Sequence, residues 1–308
     1  MKEKILITGV AGFIGSHISE RFLSHGYHVV GIDDFSTGKR ENIPSGVDFI
    51  EGDLASTDIF KIIPTDCRKI LHLAGQSSGE ISFDDPVSDL HRNAVSTLNL
   101  IRYGVQNKVE RIVHASSMSV YGSVGEDAIP ESARCQPLSC YGVSKLASEQ
   151  YMRIYQNQLP YVSLRMFNVY GPGQDMDNLR QGMVSIYLSQ AIRTKKIHVK
   201  GSLERFRDFI YIDDVVEAWF RASTYKSALN QTINVGTGIK TTVEMLLNKI
   251  CNLVPGSNYS NEGITPGDQV GIFPCINSLS DILELNKFTD LDSGLGKFIK
   301  WAEKNIDI

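Results

Sequence analysis

No excess of one charge marks this sequence: 31 Lys and Arg face 35 Asp and Glu in 308 residues, a formal net charge of −4. Nucleic acids are gripped through Lys and Arg on phosphate, and anionic membranes attract basic clusters, so composition points to neither partner. Long hydrophobic runs are missing as well. No stretch approaches the roughly 18 apolar residues of a membrane span. The run from Ile5 to Gly15 is short, Gly-rich and without a small-residue cleavage site, which predicts a strand entering a turn rather than a signal peptide. The five cysteines, Cys67, Cys135, Cys140, Cys251 and Cys275, are odd in number and never spaced C-x-x-C. That pattern predicts thiols in a reducing cytoplasm, with neither a disulfide framework nor a zinc site. Proline is scarce at 10 residues while glycine reaches 26, so tight turns and close backbone approaches fall to glycine. At this length one large α/β domain or two unequal lobes can bury a sizeable core.

What is present is an alternation. Short β-branched runs at Lys4–Thr8, Tyr27–Ile32, Asp48–Glu51, Lys69–Leu73, Arg111–Ala115 and Tyr161–Met166 alternate with helical spacing at Ile14–His25, Pro86–Gln106 and Tyr141–Gln158. Strands separated by helices predict a parallel sheet with right-handed crossovers on both faces, the doubly wound α/β arrangement. From about Gly171 the rhythm changes. Polar, Gly-rich stretches over Gly171–Gly182 and Pro255–Gly271 separate less regular elements, which predicts a smaller second lobe on the carboxyl edge of the sheet.

The first strand runs into Gly9-Val-Ala-Gly12-Phe-Ile-Gly15 and then a helix. Glycines there let the chain turn tightly and let backbone N–H groups and a helix N-terminus approach a pyrophosphate. The string alone is weak, and its place between strand and helix is what gives it weight. Asp33 ends the next strand about 20 residues on, where a carboxylate can accept both ribose hydroxyls and repel a 2′-phosphate, so NAD is expected over NADP. Asp53, after the third strand, has two readings, a contact to the adenine amino group and a plain turn residue.

Tyr141-Gly-Val-Ser-Lys145 places a phenol and an ammonium at i and i+4 on one helix face. An ammonium so placed favours the phenolate and is expected to lower the phenol toward the working pH range as a general base. A hydroxyl-rich strand end, Ala115-Ser-Ser117-Met118-Ser119-Val-Tyr-Gly122, precedes it by about twenty residues, at the sheet edge where ligands of open α/β folds bind.

Taken in order, these segments make the chain resemble an extended short-chain dehydrogenase/reductase of the NAD-dependent sugar epimerase/dehydratase family, similar to UDP-glucose and UDP-uronate 4-epimerases. Further matching stretches are Asp33-Asp-Phe-Ser-Thr-Gly-Lys39, Leu71-His-Leu-Ala-Gly75, Asn93, Arg165-Met-Phe-Asn-Val-Tyr-Gly-Pro-Gly173, Arg207-Asp-Phe-Ile-Tyr-Ile-Asp-Asp214 and Asn234-Val-Gly-Thr-Gly238. The resemblance implies a Rossmann NAD-binding domain over residues 1–172, with part of 205–240 returning to it, and a smaller, mixed nucleotide-sugar-binding lobe over 173–308. It implies Tyr141 as general base and acid, Lys145 as partner of that phenol and of the nicotinamide ribose, and Ser117 as hydroxyl donor to the reacting sugar oxygen. NAD would lie against Gly9, Gly12, Phe13, Ile14, Gly15, Asp33, Asp34, Ser36, Thr37, Gly38, Asp53, Leu54, Leu73, Ala74 and Gly75, besides Tyr141 and Lys145. Asn168 and Arg207 would meet the sugar nucleotide, although a loop-capping role for Asn168 and an ion pair of Arg207 with Asp208 stay open.

Within the resemblance, 4,6-dehydratases carry an acidic pair just before V-Y-G, and decarboxylating members a Glu beside it. Here Met118 and Ser119 stand in those places, so assisted elimination loses its acid and base and hydride chemistry remains. A 4-epimerase acting on a nucleotide sugar, a UDP-sugar first of all, is the leading expectation. A dehydrogenase or ketoreductase of a nucleotide-activated sugar is the alternative, and a non-catalytic NAD-binding regulatory or scaffold protein the reading from another class. The resembled enzymes usually open an R-x-G-[DE] segment with a phosphate-binding Arg; this chain has Thr265-Pro-Gly-Asp268, followed by Ile276-Asn277-Ser-Leu in place of an A-D-x-S-like stretch, so one strong phosphate clamp is lost. Cytoplasmic location, no metal and a homodimer paired through Pro86–Gln106 and Tyr141–Gln158 complete the expectations; burial of both helices within one subunit is the other reading of their apolar faces.

Overall fold

The computed structural model describes residues 2–262 and 270–305. The first six strands are β1 (Lys4–Thr8), β2 (His28–Asp33), β3 (Asp48–Glu51), β4 (Lys69–His72), β5 (Arg111–Ser117) and β6 (Tyr161–Met166). Four short ones follow, β7 (Asn168–Tyr170), β8 (Lys196–Lys200), β9 (Phe206–Arg207) and β10 (Phe209–Tyr211), before β11 (Gln231–Val235). The central sheet has seven parallel strands in the order β11-β6-β5-β4-β1-β2-β3. The doubly wound α/β class expected from the alternation is therefore the fold observed.

Strand alternation builds both cores. Ile5 and Ile7 point to one face with Leu71, Val113, Val162 and Leu164, while Leu6, Ile70 and Ile112 point to the other. On the first face lie α1 (Phe13–Ser24) and, from the second half of the chain, α6 (Ile212–Thr224), which contribute Ile18, Phe22, Val215 and Trp219. The second face is covered by α3 (Ser96–Gln106) and α4 (Cys140–Tyr155) through Leu100, Ile101 and Met152. Each such fully buried side chain contributes ~1.5–3 kcal/mol.

The helix expected over Pro86–Gln106 is helical throughout but not uniform. It comprises α2 (Pro86–Leu90), one π turn over His91–Val95, and α3. Asp85 caps it by accepting from Ser88 N–H, with Pro86 in the first turn. A π turn inserts one extra residue and redirects the side chains around it, here Asp89 and Asn93.

The remaining elements are α5 (Met183–Thr194), β12 (Thr241–Thr242), α7 (Val243–Leu253), β13 (Asn258–Glu262), β14 (Gly271–Ile272), α8 (Asn277–Leu283) and α9 (Leu291–Asn305). They surround three small sheets, β10-β7, β12-β9-β14 and β13-β8. No helix among the described residues is long and apolar enough to cross a membrane. Thr265–Asp268 lies outside the described residues; Ile276 leads into α8.

Candidate active site

A cleft of about 1370 Å³, counting its open mouth, runs along the carboxyl ends of β1, β2, β4 and β5. Every nucleotide-contact residue expected from the sequence lines it: Gly9, Gly12, Phe13, Ile14, Gly15, Asp33, Asp34, Ser36, Thr37, Gly38, Asp53, Leu54, Leu73, Ala74, Gly75, Tyr141 and Lys145.

The glycine turn is built for close approach. Gly9 has φ +72°, and a Cβ there would come within 2.8 Å of Ala74 N. One at Gly15 would run into the Gly9 carbonyl. Because Gly12 supplies no side-chain cap to α1, the first-turn N–H groups of that helix are left to an anion in the cleft. Asp33, 7% exposed, is held rigidly: Oδ2 accepts from Ala11 N–H at 3.0 Å and Oδ1 from Phe35 N–H at 2.9 Å. Burial raises its pKa against those two hydrogen bonds, and each oxygen keeps a lone pair for a ribose hydroxyl. Arg92 of the π turn pairs with Asp34 at 3.2 Å at the same end.

At the other end, β5 delivers Ser117 and the first turns of α4 deliver Tyr141 and Lys145. Ser139 caps α4 by accepting from Gly142 N–H at 3.1 Å, which fixes where the helix starts and hence where the phenol sits. The Ser117 hydroxyl lies close enough to the Tyr141 phenol to lower its pKa, and it donates to Ser119 Oγ at 3.2 Å. Lys145 Nζ lies 5.7 Å from the centre of the Tyr141 ring. Gly75, at φ +153°, closes the wall; a Cβ there would collide with Asn93 Oδ1 and stand 3.4 Å from Lys145 Nζ. Asn93 Oδ1 is buried without a hydrogen-bond partner among the described residues.

The electrostatics differ from the expectation for Tyr141. Burial pushes the phenol up to about 12, with the Ser117 hydroxyl pulling the other way and Asp89 adding to the rise. Lys145 is pushed down to about 8 by burial, opposed by Asp89. The i, i+4 spacing shows the ammonium near the ring but not the desolvation, and desolvation is the larger effect. Tyr141 is thus a protonated donor until more positive charge adjoins it.

Asn168 and Arg207 do not line this cleft. Asn168 Nδ2 donates to the Asp208 carbonyl at 2.8 Å and lies 3.8 Å from Met118 Sδ, so it braces the loop beside Ser117. Asp208 accepts from Thr237 N–H, Thr237 Oγ1 and Ile239 N–H at 2.9–3.0 Å, and burial raises it to about 6. Arg207 Nη1 donates to the Phe206 carbonyl at 2.7 Å. Sequence reasoning missed the far wall. Gln174 and Gln181 line the cleft from the Gly171–Gly182 stretch, and Gln181 Nε2 reaches Ser77 Oγ at 2.8 Å while Arg180 pairs with Glu80 and Asp84. Their only signal was the polar, Gly-rich composition of that loop.

Residues 5–236 match the model of the NAD dependent epimerase/dehydratase family. The chain belongs to the NAD-dependent epimerase/dehydratase family. NAD is its cofactor, and the uncapped α1 terminus, the glycine turn and Asp33 fit that molecule. Among relatives of this family member is the UDP-glucose 4-epimerase of Mycolicibacterium smegmatis, 36% identical over 263 residues, which span 82% of each chain. The crystal structure of UDP-glucose 4-epimerase with UDP-glucose from Thermotoga maritima superposes with a TM-score of 0.94 at 29% identity, covering 99% of this chain and 100% of that one. The Thermus thermophilus UDP-glucose 4-epimerase complex with NAD gives 0.89 at 31% identity, covering 98% and 100%.

Proposed function

We propose that this family member is an NAD-dependent nucleotide-sugar 4-epimerase, acting on a UDP-sugar. The observation that carries the reading is Tyr141 and Lys145 on the cleft wall, with Ser117 behind the phenol and Met118 and Ser119, which bring no carboxylate, next to it. With a phenol, a hydroxyl and an ammonium but no further acid at that strand end, proton movement at one sugar hydroxyl is the chemistry on offer.

When bound, NAD would supply hydride-acceptor and hydride-donor chemistry at the sugar C4. Tyr141 takes the proton of the C4 hydroxyl as the hydride leaves and gives it back when the hydride returns. Ser117 donates to the same oxygen and holds the 4-keto group in place. Lys145 binds the nicotinamide ribose and favours the phenolate. Since burial alone keeps Tyr141 protonated, its basicity depends on positive charge brought next to it, which couples proton removal to an oxidised cofactor. Residues 1–172, with part of 205–240 returning to them, would supply the cofactor end and 173–308 the sugar-nucleotide end, with Asn168 and Arg207 as candidate sugar-nucleotide contacts outside the cofactor cleft.

A homodimer in the cytoplasm accompanies this reading. Val87 and Leu90 of α2 and Val143 and Ile154 of α4 stay exposed, Ile154 at 71%, although α3 and α4 also bury an inner face on the sheet. That outer stripe suits a second copy of the same two helices.

The test is Tyr141→Phe with proton NMR of UDP-, dTDP-, GDP- and CDP-sugars. The parent should interconvert a sugar pair without added NAD, and the variant should bind NAD but turn over about 10²–10⁴-fold more slowly. Unchanged turnover in the variant, or NADH accumulating in the parent, overturns the proposal.

A further inference from the structure

Asp89 is 1% exposed, sits one residue before the π turn's neighbour Leu90, and belongs to none of the motifs that mark the cleft. Its Oδ2 accepts from Ser144 Oγ at 2.5 Å and its Oδ1 from Asn93 Nδ2 at 3.1 Å. Ser144 immediately precedes Lys145 on α4, so one carboxylate ties α2, the π turn and the catalytic helix together. Two neutral donors do not balance a buried negative charge. The cation available to it is Lys145, itself 4% exposed.

The other groups around Lys145 leave that role to Asp89. His72 of β4 and His114 of β5 are buried neutral imidazoles, both held well below the usual range by burial, with the Lys145 charge adding to it. His72 is fixed between Thr8 Oγ1 at 2.9 Å and Thr97 Oγ1 at 3.0 Å. Tyr141, on the same helix, is a protonated phenol. Glu149, one turn further along α4, is committed to Arg165 at 2.7 Å, and Arg92 of the π turn to Asp34. Asn93 turns its amide nitrogen to the acceptor-only Asp89 carboxylate, which leaves its Oδ1 on the Gly75 side, by the ammonium.

We propose that Asp89 is a positioning residue, the fixed counter-charge that keeps the Lys145 ammonium charged at neutral pH and the catalytic helix seated on the π turn. This goes beyond the epimerase reading and does not depend on which sugar is turned over. Burial pushing Lys145 down to about 8, with Asp89 opposing it, is consistent with a counter-charge acting across Ser144 and Asn93 and not through a direct ion pair.

The experiment is a pH titration of the protein labelled with ¹³C at lysine Cε, Lys145 being assigned by the signal lost in Lys145→Met. In Asp89→Asn the Lys145 midpoint should fall by about one pH unit, a tenfold drop in the charged-to-neutral ratio at a given pH. Ser144→Ala, which removes the hydrogen bond and keeps the charge, should leave it in place. Should Asp89→Asn not fold, ¹³C-carboxyl titration of Asp89 in the parent and in Lys145→Met reads the same coupling, its midpoint rising when the ammonium is lost. A Lys145 midpoint unmoved in Asp89→Asn, equal movement in Ser144→Ala, or an Asp89 midpoint indifferent to Lys145→Met overturns the proposal. None of these readouts uses turnover, so they stand or fall apart from the epimerase assignment.

Discussion

Replacing Lys145 by Met should make the protein more stable while removing its activity. The ammonium is 4% exposed, and burial brings it from 10.5 to about 8. That difference corresponds to about 3 kcal/mol, the extent to which the folded state disfavours the charged lysine. Below pH 8 folded and unfolded chains both hold the proton, so the whole cost is present. Between pH 8 and 10.5 the folded chain releases it first and stability rises with pH; above 10.5 the cost is gone. Met fills the same volume without charge, but it strands Asp89, whose carboxylate then loses its cation, so a net gain of about 1–3 kcal/mol at pH 7 is expected. For a chain of this size that is roughly 2–5 °C in the melting midpoint. Thermal melts of parent and Lys145→Met at pH 7 and pH 9.5, in one buffer system, check it. A variant melting at or below the parent at pH 7, or an advantage that does not shrink at pH 9.5, would refute the reasoning.

Glu149→Gln should cost about 3–5 kcal/mol in a denaturant titration, because Arg165, bound to both Glu149 oxygens at 2.9 and 2.7 Å, is left as a buried unpaired cation; a loss below about 1 kcal/mol would show that the charge finds other compensation. Ile154→Asp should convert a dimer into a monomer in sedimentation velocity at micromolar concentration, since it places a charge on the most exposed apolar residue of the α4 stripe, at its C-terminal end. A parent that already sediments as a monomer removes the dimer.

Local pattern made much of the fold legible. Lys4–Thr8, Asp48–Glu51 and Tyr161–Met166 stand where their β-branched runs place them, and β2 is displaced by one residue so that Asp33 closes the strand. The cofactor end was equally plain, since strand, glycine turn, helix and acid all lie within about 30 residues and local geometry does the rest. Long-range packing hid the remainder. β11 is a short run, Gln231–Val235, whose partner β6 lies far back in the chain; local pattern does not distinguish it from other apolar segments, and only the family resemblance pointed to a return within 205–240. Asp89 carries no motif; it matters because the π turn brings it against α4. Tyr141 illustrates the limit most directly: i, i+4 spacing shows the neighbouring ammonium, while the burial that dominates its pKa comes from elements elsewhere in the sequence.

The late return of β11 and α6 to the central sheet sets an order on biosynthesis. When Met166 leaves the ribosome, β6 is the outer edge of an unfinished sheet, and the face later covered by Val215 and Trp219 is bare. Some 69 residues must still be made before Val235 can close that edge, about 3–14 s at ordinary elongation rates. During that interval the nascent chain carries an open parallel edge and an apolar face, the features by which partly made proteins pair with one another. A fragment ending near residue 172 would keep that condition permanently, so the two halves are linked in folding even where they divide the chemistry between them.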